Sequence, residues 1–107
     1  MNETDTIVKL LESYEAAGAA SRELRSAAIA GDWESFDRAQ ARCHAIVGLI
    51  RAMGPVSALP PPLVRRRHEI LTDILADDRA IRDILEPLSR RLGQVLRTPH
   101  RAEPAPH

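Results

Sequence analysis

Two glycine-led interruptions constrain this chain more than any other feature. Gly31-Asp32, and the stretch from Gly54-Pro55 to Pro60-Pro61-Pro62, cut an otherwise helix-periodic sequence into three. Glycine suits the left-handed residue that ends a helix, and aspartate accepts hydrogen bonds from the first turn of the next one. Proline stops a helix from within but is tolerated in its first turn, so the triple proline marks a start. The spacing therefore predicts helices over about 4–30, 33–53 and 62–97. The Gly31-Asp32 connection is so short that the second helix must return antiparallel to the first.

The apolar periodicity agrees. Ile7, Leu10, Leu11, Tyr14, Ala17, Leu24 and Ala28 recur in threes and fours along the first segment. Between Ala16 and Ala20 the stripe holds only alanines and Gly18, small residues that let a neighbouring helix approach closely. Trp33, Phe36, Cys43, Ile46, Val47, Ile50 and Met53 line one side of the second segment. The third carries Leu63, Ile70, Leu71, Ile74, Leu75, Ile81, Leu85, Leu88, Leu92 and Leu96. Pro87 falls inside it, removing one hydrogen bond and crowding the carbonyl at Asp83, so a kink or a break is expected there. The expected fold is all-α: a three-helix antiparallel bundle over residues 1–97, followed by a disordered Pro-rich tail over 98–107. Trp33 is expected to pack against the end of the first or the third helix and close one end.

Composition narrows the function classes. The 15 basic and 15 acidic side chains cancel, so no global field draws the chain to nucleic acid or to an anionic membrane. One Trp, one Tyr and one Phe argue against a β-sandwich, and the 16 alanines favour helix. A single cysteine, Cys43, excludes an internal disulfide and a CxxC metal or redox site. The longest uncharged stretch, Ala52 to Val64, is interrupted by Gly and Pro and is no membrane span. No signal-peptide pattern opens the sequence, and the expected location is the cytoplasm.

Catalytic and cofactor signatures are missing: no GxxxxGK[ST], GxGxxG, HExxH, GxSxG or EF-hand loop occurs. His44 and His68 lie on different helices and His100 and His107 in the tail, so they form no ligand set. No catalytic residue, cofactor or metal is therefore expected. Arg65-Arg66-Arg67 spreads around the start of the third helix rather than forming one patch. Asp73, Asp77 and Asp78, with Arg82 four residues after Asp78, read as a solvated face. The third helix nevertheless carries more aliphatic residues than a hairpin needs. Those residues are the third helix of a bundle in its core, or a strip for a partner helix.

The order of motifs resembles the FliT family of flagellar export chaperones. Gly31-Asp32-Trp33-Glu34 matches a G-x-W-[DE] element that opens the second helix of that family. Ile74-Leu75-Ala76-Asp77-Asp78-Arg79-Ala80-Ile81-Arg82 matches an I-L-x-[DN]-[DEN]-x-x-[IV]-[KR] element mid-way along the third. The resemblance covers roughly Ile7 to Leu96. It implies a cytoplasmic helical chaperone that acts without catalysis and binds the C-terminal region of the filament-cap protein FliD. That binding prevents premature assembly and aids export. Some members of the family also contact the export ATPase complex and the master regulator FlhDC. The family commonly continues into a C-terminal helix that covers the binding surface, where this sequence has TPHRAEPAPH; Pro87 is a second departure from the family pattern.

The expected partner-binding residues are Ile46 and Ile50 of the second helix and Ile70, Leu71, Ile74, Leu75, Asp78, Ile81 and Arg82 of the third. Asp78 and Arg82 would set register at the rim. Self-association through the same strip, as a homodimer, is a further expectation. Two other readings stand beside this one. A coiled-coil-like dimerisation or adaptor module would need a sustained heptad, which the alanine-rich stretch and Pro87 interrupt. A small all-helical mutase would need cations converging in a polar pocket, whereas Lys9 is the single lysine and the arginines are scattered.

Overall fold

The computed structural model describes residues 3–56 and 58–102, with side chains described as far as residue 96. The described residues form three helices: α1 (Glu3–Ala30), α2 (Trp33–Met53) and α3 (Pro61–Ala102). Both glycine interruptions act as expected. Gly31 adopts φ 70° and Gly54 φ 73°, left-handed values that a side chain at Cβ would disfavour. At the end of α1, Gly31 N–H donates to the Ala28 carbonyl and Asp32 N–H to that of Ala27, a Schellman arrangement that satisfies two otherwise orphaned carbonyls. Asp32 then caps α2, its Oδ1 accepting from Ser35 N–H at 3.1 Å. The Pro60 carbonyl accepts from both Leu63 and Val64 and so opens α3.

α1 is the central element. It packs against α2 and against α3, whereas the backbones of α2 and α3 stay apart among the described residues, although Phe36 of α2 joins Ile81 of α3 in one buried cluster. Pairing runs in order along α1 and α3: Glu15 meets Arg66, Ser21 meets Asp77, and Ala28 shares a cluster with Ile81. These two helices are therefore parallel. α2 runs back along α1, with Phe36 near Ala28 and Arg42 paired with Glu23.

Three layers of contact hold α3 to α1. At one end Leu10, Leu11 and Tyr14 close on Leu59, Leu63 and the stem of Arg67, leaving a gap of only about 10 Å³. In the middle Gly18 lets Ile70 lie directly on the backbone of α1, where a Cβ would stand 3.4 Å from Ile70 Cγ2. At the other end Ala27, Ala28, Phe36 and Ile81 form a buried cluster, with Leu24, Ile84 and Leu85 against it.

Two departures from the sequence-based expectation concern aromatic and proline residues. Phe36, not Trp33, is the buried ring; Trp33 stands outside it in an edge-to-face contact at 5.4 Å and is 40 % exposed. The Phe36 side chain leaves the first turn of α2 towards α1, while Trp33, three residues earlier at the helix start, is left on its rim. α3 also runs unbroken through Pro87 to Ala102, so the expected break is absent and residues 98–102 are helical. Pro87 lies where α3 passes the end of α1 and is exposed. Water can therefore hydrate the Asp83 carbonyl that proline leaves without a donor, which a buried helix interior would not allow. Residues 103–107 of the predicted tail lie outside the described residues. Among the described residues no helix is long and apolar enough to cross a membrane.

Candidate functional site

α2 and α3 flank α1 with their backbones apart, except that Phe36 and Ile81 share a cluster at one end, and the orientation of the cleft left between them follows from two ion pairs. Arg42 of α2 pairs with Glu23, and Arg66 of α3 grips Glu15 through two contacts of 2.6 and 2.7 Å. Glu15 and Glu23 stand within about 80° of each other around α1, so both pairs mark the same rear side. The opposite side of α1 carries Leu10, Ala17, Leu24 and Ala28, which floor the cleft. On α2, Val47 stands about 140° round from Arg42; on α3, Leu71 stands about 140° round from Arg66, and Leu75 opposite it. These side chains are turned towards the open side. Val47 and Leu71 are each 40 % exposed and Leu75 69 %.

The expected binding residues divide accordingly. Leu71 and Leu75 are exposed, Ile74 and Asp78 are half-buried beside them, and Arg82 is exposed and paired with Asp78 at 2.9 Å. Ile46 and Ile50 are half-buried on α2. Ile70 and Ile81 are buried, the first on Gly18 and the second in the Phe36 cluster. These two serve packing in this conformation and are absent from the exposed strip. Val47 was not singled out from the sequence as a binding residue. Its position five residues after Arg42 was the signal, legible once Arg42 is known to pair with Glu23.

The acidic run on α3 is not uniformly solvated, correcting the reading from the sequence. Asp77 is buried and ties α3 to α1: Ser21 Oγ donates to its Oδ2 at 2.8 Å and Arg25 Nη1 to its Oδ1 at 3.2 Å. The three consecutive arginines also separate. Arg66 is committed to Glu15 and Glu69, and the hydrogen bonds it donates to Glu15 first, and to Glu69 next, hold its pKa above the ordinary arginine range. Reciprocally, the Arg66 guanidinium holds the Glu15 carboxyl below the usual glutamate value. Arg67 is half-buried over Tyr14 and Leu63. Burial pushes the Cys43 thiol up, away from the thiolate a nucleophile needs. The surface described is apolar at its centre with charged pairs at its rim, which suits a helix and offers no reacting group.

Comparison with protein families supplies the decisive observation: the family described as Flagellar protein FliT matches residues 11–103. The chain belongs to the FliT family. It is thus a member of a family of flagellar chaperones, and both motifs that suggested the resemblance lie inside the matched region. No curated protein and no solved structure matches it. In this FliT-family chain the two motifs have distinct physical roles. The Gly31-Asp32-Trp33-Glu34 element makes the turn that reverses α1 into α2, with Asp32 capping and Glu34 in the first turn. In the second element Asp77 and Ile81 anchor α3 to α1, while Leu75, Asp78 and Arg82 are left on the other side.

Proposed function

We propose that this FliT-family chain is a cytoplasmic export chaperone that holds the C-terminal segment of the filament-cap protein FliD as an amphipathic helix in the cleft between α2 and α3. The observation that carries the proposal is the separation of α2 from α3, which leaves Val47, Leu71 and Leu75 exposed over an apolar floor. An amphipathic helix laid there buries its apolar face against these residues, at about 25 cal/mol per Å² before ordering costs are subtracted. Asp78 and Arg82 lie at the rim and select register more than affinity. Shielding that face keeps the bound segment from assembling until export. The family resemblance extends the proposal to the export ATPase complex and FlhDC as further partners.

Calorimetry with a FliD C-terminal peptide tests the reading. Leu71→Asp and Leu75→Asp, each at an exposed position, are expected to keep the helical circular-dichroism signal and to abolish binding. Leu49→Asp, exposed on the other flank of α2, is expected to bind normally. Unchanged affinity in both cleft variants would place the peptide elsewhere.

A further inference from the structure

The cleft between α2 and α3 differs at its two ends. Beside the Phe36 cluster the chain turns from α1 into α2, and no connection crosses from α2 to α3. At the other end the connection between α2 and α3 passes from one wall to the other. Leu59 of that connection closes on the floor beside Ile7, Leu10 and Leu11. The cleft is therefore open at one end and blind at the other.

Two arginines stand at the blind end. Arg51 follows Arg42 by about 14 Å along α2, and Arg42 is level with Glu23, so Arg51 is level with Tyr14. On α3, Arg67 follows the Arg66 that grips Glu15, and its stem lies over Tyr14. Both are turned to the open side: Arg51 stands opposite Arg42 around α2, and Arg67 about 100° round from Arg66 towards Leu71. Neither has an acidic partner among the described residues, whereas Arg25, Arg42, Arg66 and Arg82 are each in an ion pair. The acidic residues of α1 that flank Tyr14, Glu12 and Glu15, stand on the rear side with Glu23. Further along the cleft Asp78 is already matched by Arg82. The unbalanced positive charge of the cleft thus lies at its blind end.

We infer that the blind end holds the C-terminal carboxylate of the bound helix, with Arg51 and Arg67 gripping it from the two walls; this rests on the occupancy of the cleft proposed above. A blind end receives a chain terminus, whereas an internal segment needs an exit at both ends. Guanidinium groups without a carboxylate of their own match a terminal carboxylate through paired, charge-assisted hydrogen bonds. The last turn of a helix adds unpaired carbonyls and the negative end of its dipole, so the same two arginines favour that end over the other. Direction follows. The bound helix runs antiparallel to α1 and α3 and parallel to α2, and the rest of its chain leaves by the open end past Asp78 and Arg82. The cleft then tells a terminal helix from an internal one of equal amphipathicity, which an apolar groove alone cannot do.

Calorimetry with the FliD C-terminal peptide, made as the free acid and as the C-terminal amide, tests this. The free acid is expected to bind at least about 10-fold more tightly than the amide. Arg51→Gln is expected to shrink that preference, and Arg51→Gln with Arg67→Gln to remove it, with the affinity for the amide unchanged. Arg51 is exposed, so its single variant decides the matter even where Arg67→Gln disturbs the packing over Tyr14. A Gly-Ser-Gly-Ser extension is expected to weaken binding about 10-fold at the C-terminus of the peptide and to be tolerated at its N-terminus. Equal affinity of acid and amide, with Leu71→Asp still abolishing binding, overturns the inference and leaves the cleft reading standing. So does a preference for the acid that Arg51→Gln leaves intact. Binding that survives both Leu71→Asp and Leu75→Asp overturns the cleft reading and this inference with it.

Discussion

The Ser21 hydroxyl donates to Asp77 Oδ2 at 2.8 Å across the α1–α3 contact, with both residues buried. Arg25 adds a 3.2 Å ion pair from the half-exposed rim. A carboxylate removed from water needs such partners, and here it converts an apolar seam into one with a single register. Replacing Asp77 with alanine leaves the Ser21 hydroxyl without its acceptor and Arg25 without its pair. The expected cost is about 2–3 kcal/mol in urea unfolding. Asp77→Asn retains an acceptor for Ser21 and is expected to lose about 1 kcal/mol or less, since the Arg25 pair is screened.

Gly18 gives a prediction of opposite sign. A Cβ there would meet Ile70 Cγ2 at 3.4 Å and Arg22 Nη1 at 3.7 Å, ordinary contact distances. Alanine therefore fits, and helix propensity favours it by up to about 1 kcal/mol. Gly18→Ala is expected to raise the urea midpoint with an unchanged slope. Gly18→Leu must displace Ile70 and is expected to lower it by about 1–3 kcal/mol.

These two positions show where the sequence was legible. Gly18 was readable, because alanine beside it keeps helix propensity and so favours close approach of a neighbour over a frayed stretch, and so were the helix ends at Gly31-Asp32, Gly54-Pro55 and the triple proline. Local chemistry decides each of them. Asp77 was not readable, because an acidic residue among Asp73 and Asp78 looks solvated until Ser21 and Arg25 are known to face it from a segment more than 50 residues away. Nor was the separation of α2 from α3 that exposes Val47 and Leu71. Periodicity shows which side of a helix is apolar, but not how far two neighbours stand apart. That Pro87 does not break α3 has a related reason: its cost depends on burial, and the place where α3 outruns α1 is a tertiary fact.

Phe36 and Trp33 differ in exposure although they touch. Phe36 lies in the cluster with Ala27, Ala28 and Ile81 and is 9 % exposed, so Phe36→Ala is expected to cost about 3 kcal/mol or more. Trp33 covers only its outer edge. Trp33→Ala is expected to cost about 1 kcal/mol, the worth of an edge-to-face pair with part of its area. Guanidinium melts of both variants measure the difference, and equal losses would show that Trp33 closes the end of the protein after all.

Acid should loosen the chain at two places at once. Hydrogen bonds from the Ser35 hydroxyl and N–H hold the Asp32 carboxyl below the usual aspartate value, and Arg66 does the same for Glu15. In the unfolded chain both groups return to ordinary values near 4. A carboxyl with a depressed native pKa binds fewer protons folded than unfolded, so its stabilisation is complete above that range. It is lost as pH falls through the lower native value. The thermal midpoint is therefore expected to be flat from pH 7 to about pH 5 and to fall below about pH 4. Arg66→Gln is expected to flatten part of that fall by releasing Glu15, and Ser35→Ala another part by releasing Asp32. Salt separates the two sites. The exposed Glu15–Arg66 pair is screened at about 1 M NaCl, whereas the short-range bonds that cap α2 are not. The pH dependence that survives high salt is thus expected to vanish with Ser35→Ala and to persist with Arg66→Gln. A salt-resistant fall that Ser35→Ala leaves intact would assign it to other carboxyls.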